Sequence, residues 1–374
     1  MKNKITFFSV LILLCVLLFV TGCGNSSSSG DSIKFRFAIT GDVQVKESLS
    51  GYPSATNVPQ LRQTMIDINN ANNPKPQFVM IDGDIVMNLV DDNGAALKAE
   101  LNAWQTVYSG LPITNKVQLL PVLGNHETNF KNSTLDVEAP NPGAITEWLS
   151  WFSQNGYNFV SGNGPTVTTP NLDCLVRDES NLTYSFNKEN IHFVIINTDT
   201  LNTNTAPTTG YVLSGWIPIN WIEKDVQAAQ LNSSISTIII VGHKPVEAPS
   251  YSSESDTIIN TSQYPFATRL STLMGANSKV KLYLASHSHS WDAIKLNNGN
   301  SVWEIVVGNG GADIEPSWTP LGGVYFGYSM IDIYESGKII ISDYGRDLPP
   351  APQAYYQDTP VAPKPATVRQ TMNF

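Results

Sequence analysis

Four of the five histidines in this chain stand where apolar runs end: His126, His243, His287 and His289. Two carboxylates, Asp42 and Asp84, and one amide, Asn125, occupy the same kind of position. A single histidine at the end of a strand is ordinarily a hydrogen-bonded loop residue. Four of five, beside carboxylates and an amide, form a nitrogen and oxygen donor set that suits Zn, Mn, Fe or Ni. Cysteine is scarce, with Cys15, Cys23 and Cys174 alone, so neither a disulfide framework nor a thiolate zinc site is available. His192 opens a strand instead of closing one and reads as structural. Cys174 reads as a buried or inert thiol.

The chemistry open to such a set is two-metal catalysis. Two ions ~3.5–4 Å apart, bridged by a carboxylate, acidify a shared hydroxide and clamp a phosphoryl group for in-line attack. No serine or cysteine nucleophile is needed. The stretch "LYLASHSHSW", Leu282 to Trp291, sharpens this reading. Near an extended strand end, residues i and i+2 point the same way, which would aim His287 and His289 at one place.

The elements that position these residues are short strands alternating with helices. "IKFRFAIT" (33–40), "PQFVMIDGD" (76–84), "KVQLLPVLGNHE" (116–127), "ISTIIIVGHKP" (235–245) and "KVKLYLASHSH" (279–289) each run apolar and end polar. Between them, "VPQLRQTMIDINNA" (58–71), "AALKAELNAWQTVYSG" (95–110) and "IPINWIEKDVQAAQ" (217–230) have helical spacing. The alternation predicts a layered α/β domain over residues 33–346. In such a fold the carboxyl ends of parallel strands share one edge, and ligands bind there. Glycines 41, 83, 124 and 242 read as places where the backbone turns sharply beside these residues. Residues 130–182, rich in Asn, Pro, Thr and Gly, read as an insertion near the mouth of the site. Its Trp148, Trp151 and Phe152 read as the packing face of a helix, with a cleft lining as the alternative. Residues 347–374, rich in Pro, Ala and Thr, read as a loosely held tail.

Composition bounds the partners. With 374 residues and 41% hydrophobic content the chain can bury a large core. A net charge of -10 with no basic run argues against nucleic acid as a partner. The opening "MKNKITFFSVLILLCVLLFVTGC" has a basic start and an apolar run, the form of a secretory signal over residues 1–22. It ends in Val20-Thr21-Gly22-Cys23, which resembles a bacterial lipobox. That resemblance implies cleavage before Cys23, lipid on its sulfur, and an extracytoplasmic protein anchored to a bacterial membrane. Residues 23–32 read as a Ser-rich tether.

Five blocks occur in order: "GDVQ" (Gly41–Gln44), "GDIV" (Gly83–Val86), "GNHE" (Gly124–Glu127), "GHKP" (Gly242–Pro245) and "SHSH" (Ser286–His289). Together they resemble the calcineurin-like metallophosphoesterase superfamily. The resemblance implies a two-sheet β-sandwich of mixed sheets flanked by helices, with the site at strand C-terminal ends. It implies two transition-metal ions as cofactors and a phosphomono- or diester as substrate. Asp84 would bridge the ions. Asp42, His289 and residue 44 would hold the first; Asn125, His243 and His287 would hold the second. His126, with Asn125 beside it, would act on the scissile phosphate as proton donor or charge stabiliser. Glu127 reads as a solvated or supporting group, and Asp199 as a turn residue or part of the site wall.

Two positions depart from the family pattern, and a third from that of one branch. Gln44 stands where many members have His, and its amide is a weaker ligand. Ser286 stands where Gly precedes the first His of the pair, which would be costly if its φ were positive. Met87 stands where the purple acid phosphatase branch has Tyr, which argues against a tyrosinate-ligated ferric ion. The competing reading is a non-catalytic surface-binding lipoprotein that keeps the fold.

Overall fold

Along β1 (Ile33–Thr40) the side chains of Phe35, Phe37 and Ile39 face one apolar cluster and that of Ala38 faces another. A strand with apolar residues on both faces must be covered on both, and the rest of the architecture supplies the two covers. The computed structural model describes residues 31–45, 58–71, 74–114, 116–157, 162–249, 256–299, 302–312, 314, 325–347 and 364–374. The expected signal and Cys23 lie outside the described residues. Among those described, no helix is long and apolar enough to cross a membrane.

The elements follow in chain order. After β1 come α1 (Val58–Asn70), β2 (Phe78–Asp82), α2 (Ala95–Ser109), β3 (Gln118–Val122), the single turn α3 (Asn125–Thr128), β4 (Asn129–Asn132), β5 (Val137–Pro140) and α4 (Pro142–Gln154). The second half has β6 (Tyr184–Lys188), β7 (Ile191–Ile196), α5 (Ile219–Leu231), β8 (Thr237–Gly242), α6 (Phe266–Ala276), β9 (Val280–Ala285), β10 (Trp291–Lys295), β11 (Trp303–Val307), β12 (Tyr325–Tyr334), β13 (Ile339–Asp347) and β14 (Thr367–Asn373).

One six-stranded sheet has the order β14-β13-β12-β1-β2-β3, the other β10-β11-β9-β8-β7-β6. In the first, β1, β2 and β3 run parallel and β12 to β14 antiparallel. In the second, β7, β8, β9 and β11 run parallel, with β6 and β10 as antiparallel edges. The sheets face each other across an aromatic layer in which Phe37 and Phe193 meet edge to face at 5.5 Å. Leu61 and Met65 of α1, Trp104 of α2 and Trp148 of α4 cover the outer face of the first sheet. Ile222 and Val226 of α5 and Leu270 of α6 cover that of the second. The result is a mixed α/β sandwich of two sheets between helical layers.

Two expected segments resolve differently. The 130–182 region divides: α4 joins the helical layer, with Trp148, Trp151 and Phe152 buried as a packing face. The β4–β5 ribbon, by contrast, reaches the site. The C-terminal tail is also corrected at its end. β14 pairs along β13, and Phe374 and Ile339 exchange backbone hydrogen bonds of 2.9 and 3.1 Å. Its side chains are mostly exposed, so main-chain pairing holds most of its length, with Met372 and Phe374 packing against the core at its end. A hydropathy pattern carries no trace of such an edge strand.

Candidate metal centre

The parallel strands of both sheets end at the same edge, and the candidate residues follow them: Asp42 after β1, Asp84 after β2, Asn125 and His126 after β3, His243 after β8, His287 and His289 after β9. The chain turns into the site through left-handed backbone. Asp42, Gln44, Asp84, His287 and His289 have φ of 52°, 48°, 50°, 68° and 43°. Such angles cost non-glycine residues about 1–3 kcal/mol each and cluster at functional sites. Asp and His tolerate them better than most. His287 and His289 therefore converge through a tight turn, in which Ser288 N donates to Ser286 O at 2.8 Å. The expected extended alternation is not what aims them. Ser286 has no positive φ, so the departure from glycine costs nothing in backbone strain. Of the four flanking glycines, Gly83 alone has φ in that region, at 77°; the others serve close packing.

Two groups of donor atoms form, each within 4.8 Å: Asp42, Asp84 and His289, and Asp84, His243 and His287. Asp84 belongs to both. Asn125 joins the second group, its Oδ1 lying 3.1 Å from His243 Nε2 and 3.0 Å from His287 Nδ1. Gln44 joins the first, its terminal amide lying 3.1 Å from His289 Nε2 and 3.3 Å from Asp84 Oδ2. A half-turn of that amide puts its oxygen at the same point. The buried Asp42 Oδ1 has no hydrogen-bond partner and stands 3.6 Å from His289 Nε2 and 3.9 Å from His243 Nε2. A cation between Asp42 Oδ1 and His289 Nε2 satisfies both, so the residues fit the expected ions.

Neighbouring groups orient the donors. His243 Nδ1 lies 2.8 Å from the Asp82 carbonyl, which leaves Nε2 for the site. Asn125 Nδ2 donates to Glu138 Oε2 at 3.0 Å, which turns Oδ1 inward. Glu127 is fully buried and accepts from Asp84 N, Gly124 N and Val86 N at 2.9, 2.9 and 3.1 Å. It thus ties the loop after β2 to the loop after β3, a supporting role. His126 is slightly exposed, with Nε2 3.5 Å from Asp84 Oδ2.

Burial and charge set the protonation pattern. Burial works to raise the Asp84 carboxyl, but the imidazoles of His126, His243 and His287 outweigh it and hold it well below the usual range. Burial drives Asp42 up, against the pull of His243. It also pushes Asp82 up to about 7. His287 is driven well down by burial and by the charges of His243 and Lys244, which keeps a neutral imidazole ready to ligate.

Sequence reasoning passed over Asp82, Glu138, Lys244 and Asp256. Lys244 is fully buried, with Nζ 3.2 Å from Asp199 Oδ1 and 2.5 Å from Asp256 Oδ2. Asp199 is therefore an ion-pair partner in the wall. Glu138 and Asp256 also line a cleft of about 470 Å³ with Lys131 and Tyr211. His192 sits elsewhere, 2.8 Å from Asp225 Oδ2 and 2.7 Å from Asn187 Oδ1, in a structural role. Cys174 is a half-buried free thiol.

Comparison with known proteins agrees with this arrangement. A family model described as calcineurin-like phosphoesterase matches residues 35–291, a span that holds every candidate donor from Asp42 to His289. A dimetal phosphatase from Danio rerio superposes with a TM-score of 0.52 at 13% identity, covering 84% of this chain and 97% of that one. PhoD superposes with a TM-score of 0.50 at 11% identity, covering 92% and 70%. At these identities the likeness is one of fold. A protein named probable inactive purple acid phosphatase 9, from Arabidopsis thaliana, is 24% identical over 228 residues. The match covers 58% of this chain and 32% of that protein, so the chain spans about a third of its length. The class defined by the fold and the family match is that of the calcineurin-like phosphoesterases. The chain belongs to the calcineurin-like phosphoesterase family.

Proposed function

We propose that this protein hydrolyses phosphomono- or diesters at a two-metal centre. The observation that carries the reading is the position of Asp84, shared by two donor groups at one edge of two sheets. Asp42, Gln44, Asp84 and His289 would hold one ion, and Asp84, Asn125, His243 and His287 the other. Bound there, two ions polarise a phosphoryl oxygen and lower the pKa of water.

The chain's own groups do the rest. Asp42 and Asp84 offset only part of the charge of two dications, which leaves the site attractive to a phosphoryl anion. His126, on the open side of Asp84, hands a proton to the departing alkoxide. Glu138 keeps the Asn125 amide turned inward. The cleft beside Glu138 and Asp256 receives the alcohol part of the ester. The protein would work outside the cytoplasm, tethered through lipid on Cys23, as the Val20–Cys23 segment implies.

The second reading, a fold-retaining binder without turnover, draws on Gln44 and on the word inactive in the name of the Arabidopsis relative. Against it, the Gln44 amide lies among the first donor group. The deciding test is hydrolysis of aryl phosphate mono- and diesters by the full-length chain in mild detergent, loaded with Mn, Zn, Ni or Fe. Metal-dependent turnover well above a His126→Ala control supports the enzyme. Turnover no greater than that control supports the binder.

A further inference from the structure

The ring of His287 presents different nitrogens to different partners. Nδ1 faces the second donor group, 3.0 Å from Asn125 Oδ1. Nε2 faces away from it, 3.6 Å from Asp256 Oδ2. At that distance the contact is a longer electrostatic or water-bridged one rather than a direct hydrogen bond. An imidazole that ligates through Nδ1 carries its proton on Nε2. A carboxylate at that nitrogen selects this tautomer and raises the basicity of the ligand.

What holds the carboxylate there is the buried ammonium of Lys244. A fully buried ammonium is tolerated only when paired, and Lys244 Nζ is shared between Asp199 and Asp256. The backbone of Lys244 is itself fixed. Its carbonyl accepts from Tyr283 Oη at 2.7 Å, and its N–H donates to Thr198 Oγ1 at 3.3 Å. The side chain of Asp256 is 43% exposed, and its ion pair with Lys244 helps to fix its place. His289 shows a different setting, with Nε2 facing Asp42 and Gln44. The Lys244 network thus reaches the second donor group through His287.

We propose that Asp256, clamped by Lys244, is a positioning residue for His287 and sets the affinity of the second metal position alone. This rests on the two-metal reading above. The test is calorimetric titration of Zn²⁺ into metal-free, full-length protein in mild detergent. Wild type gives two binding events. Asp256→Asn keeps the shape and removes the charge; it is expected to weaken one event by roughly 10–100-fold and leave the other unchanged. Asp256→Glu recovers part of the loss. Melting of the metal-free variant shows whether it is folded. Two unaltered events in folded Asp256→Asn, or equal loss at both, overturn the inference while the two-metal reading stands. A wild type that binds no ion overturns both. Histidine ¹⁵N spectra of zinc-loaded wild type need no variant: the expected His287 proton is on Nε2, and a proton on Nδ1 overturns the assignment.

Discussion

Gly41 and Ser286 divide one small volume between two sheets. A Cβ on residue 41 would lie 2.0 Å from Ser286 Oγ and 2.8 Å from the Asp82 carbonyl oxygen. The serine hydroxyl uses the space to donate to Asp82 Oδ2 at 3.2 Å, beneath the donor groups. The chain thus accommodates Ser286 because residue 41, on the facing sheet, has no side chain.

The first prediction follows from that pair. Gly41→Ala overpacks the junction, and overpacking of this kind costs about 1–3 kcal/mol. Urea unfolding should show a lower midpoint with an unchanged slope. Adding Ser286→Gly to Gly41→Ala should recover part of the loss, because the two sites touch. Recovery is incomplete, since the Asp82 carbonyl still opposes the new methyl. Strict additivity of the two changes would contradict the shared volume.

Glu138 gives the second. It is half-buried and accepts from the Asn125 amide at 3.0 Å. Glu138→Ala should lower kcat/KM by roughly 10–100-fold, the usual cost of losing a group that orients a ligand. The melting temperature should move little. Glu138→Gln retains an acceptor oxygen and should lie between the two. A Glu138→Ala protein with unaltered kinetics would show that Asn125 needs no orientation.

Stability should depend on pH through buried acids far from the donors. Burial pushes Glu179 up to about 8, against the Asn197 amide that donates to it at 3.2 Å. Between the unfolded value near 4.5 and the folded value near 8, the native state holds a proton that the unfolded state has released. The stabilisation is complete below about 4.5 and is lost as pH rises through 8. Burial moves Glu304 to about 8 and Asp343 to about 7, in the same direction. Denaturant midpoints for wild type should therefore decline between pH 5 and pH 8, and Glu179→Gln should make that decline shallower. An unchanged slope would mean that Glu179 is ionised in the native state.

The proposed lipid anchor makes a fourth prediction. Cys23→Ser should remove the site of lipid attachment, so that radiolabelled fatty acid no longer enters the protein. The variant should retain metal-dependent activity where it is recovered, because position 23 precedes β1 and every candidate donor in the sequence. Fatty acid incorporation equal to wild type would contradict lipidation at Cys23.

What the sequence could reveal depended on how each feature is encoded. The donor residues were legible because each is a chemically distinctive side chain at the end of an apolar run, and two sheets of parallel strands bring those ends together. The burial of Trp148, Trp151 and Phe152 was legible from helical spacing. Asp256 and His287 are 31 residues apart and Asn125 and Glu138 are 13 apart, and neither spacing signals a contact. Lys244 lay within a recognised motif, yet a lysine in a loop is ordinarily solvated, and only its burial between two carboxylates reveals its part. β14 is not legible because backbone hydrogen bonds pair it along β13 and most of its side chains stay exposed. The aim of His287 and His289 also depends on local dihedrals that a period-of-two argument does not contain.

The central claim is that one carboxylate, Asp84, serves two metal positions. Anomalous X-ray scattering from Mn- or Zn-loaded crystals measures this directly. The account predicts two peaks per chain, ~3.5–4 Å apart, with Asp84 bound to both, His289 to one, and His243 and His287 to the other. A single peak, or a pair that Asp84 does not bridge, would contradict it.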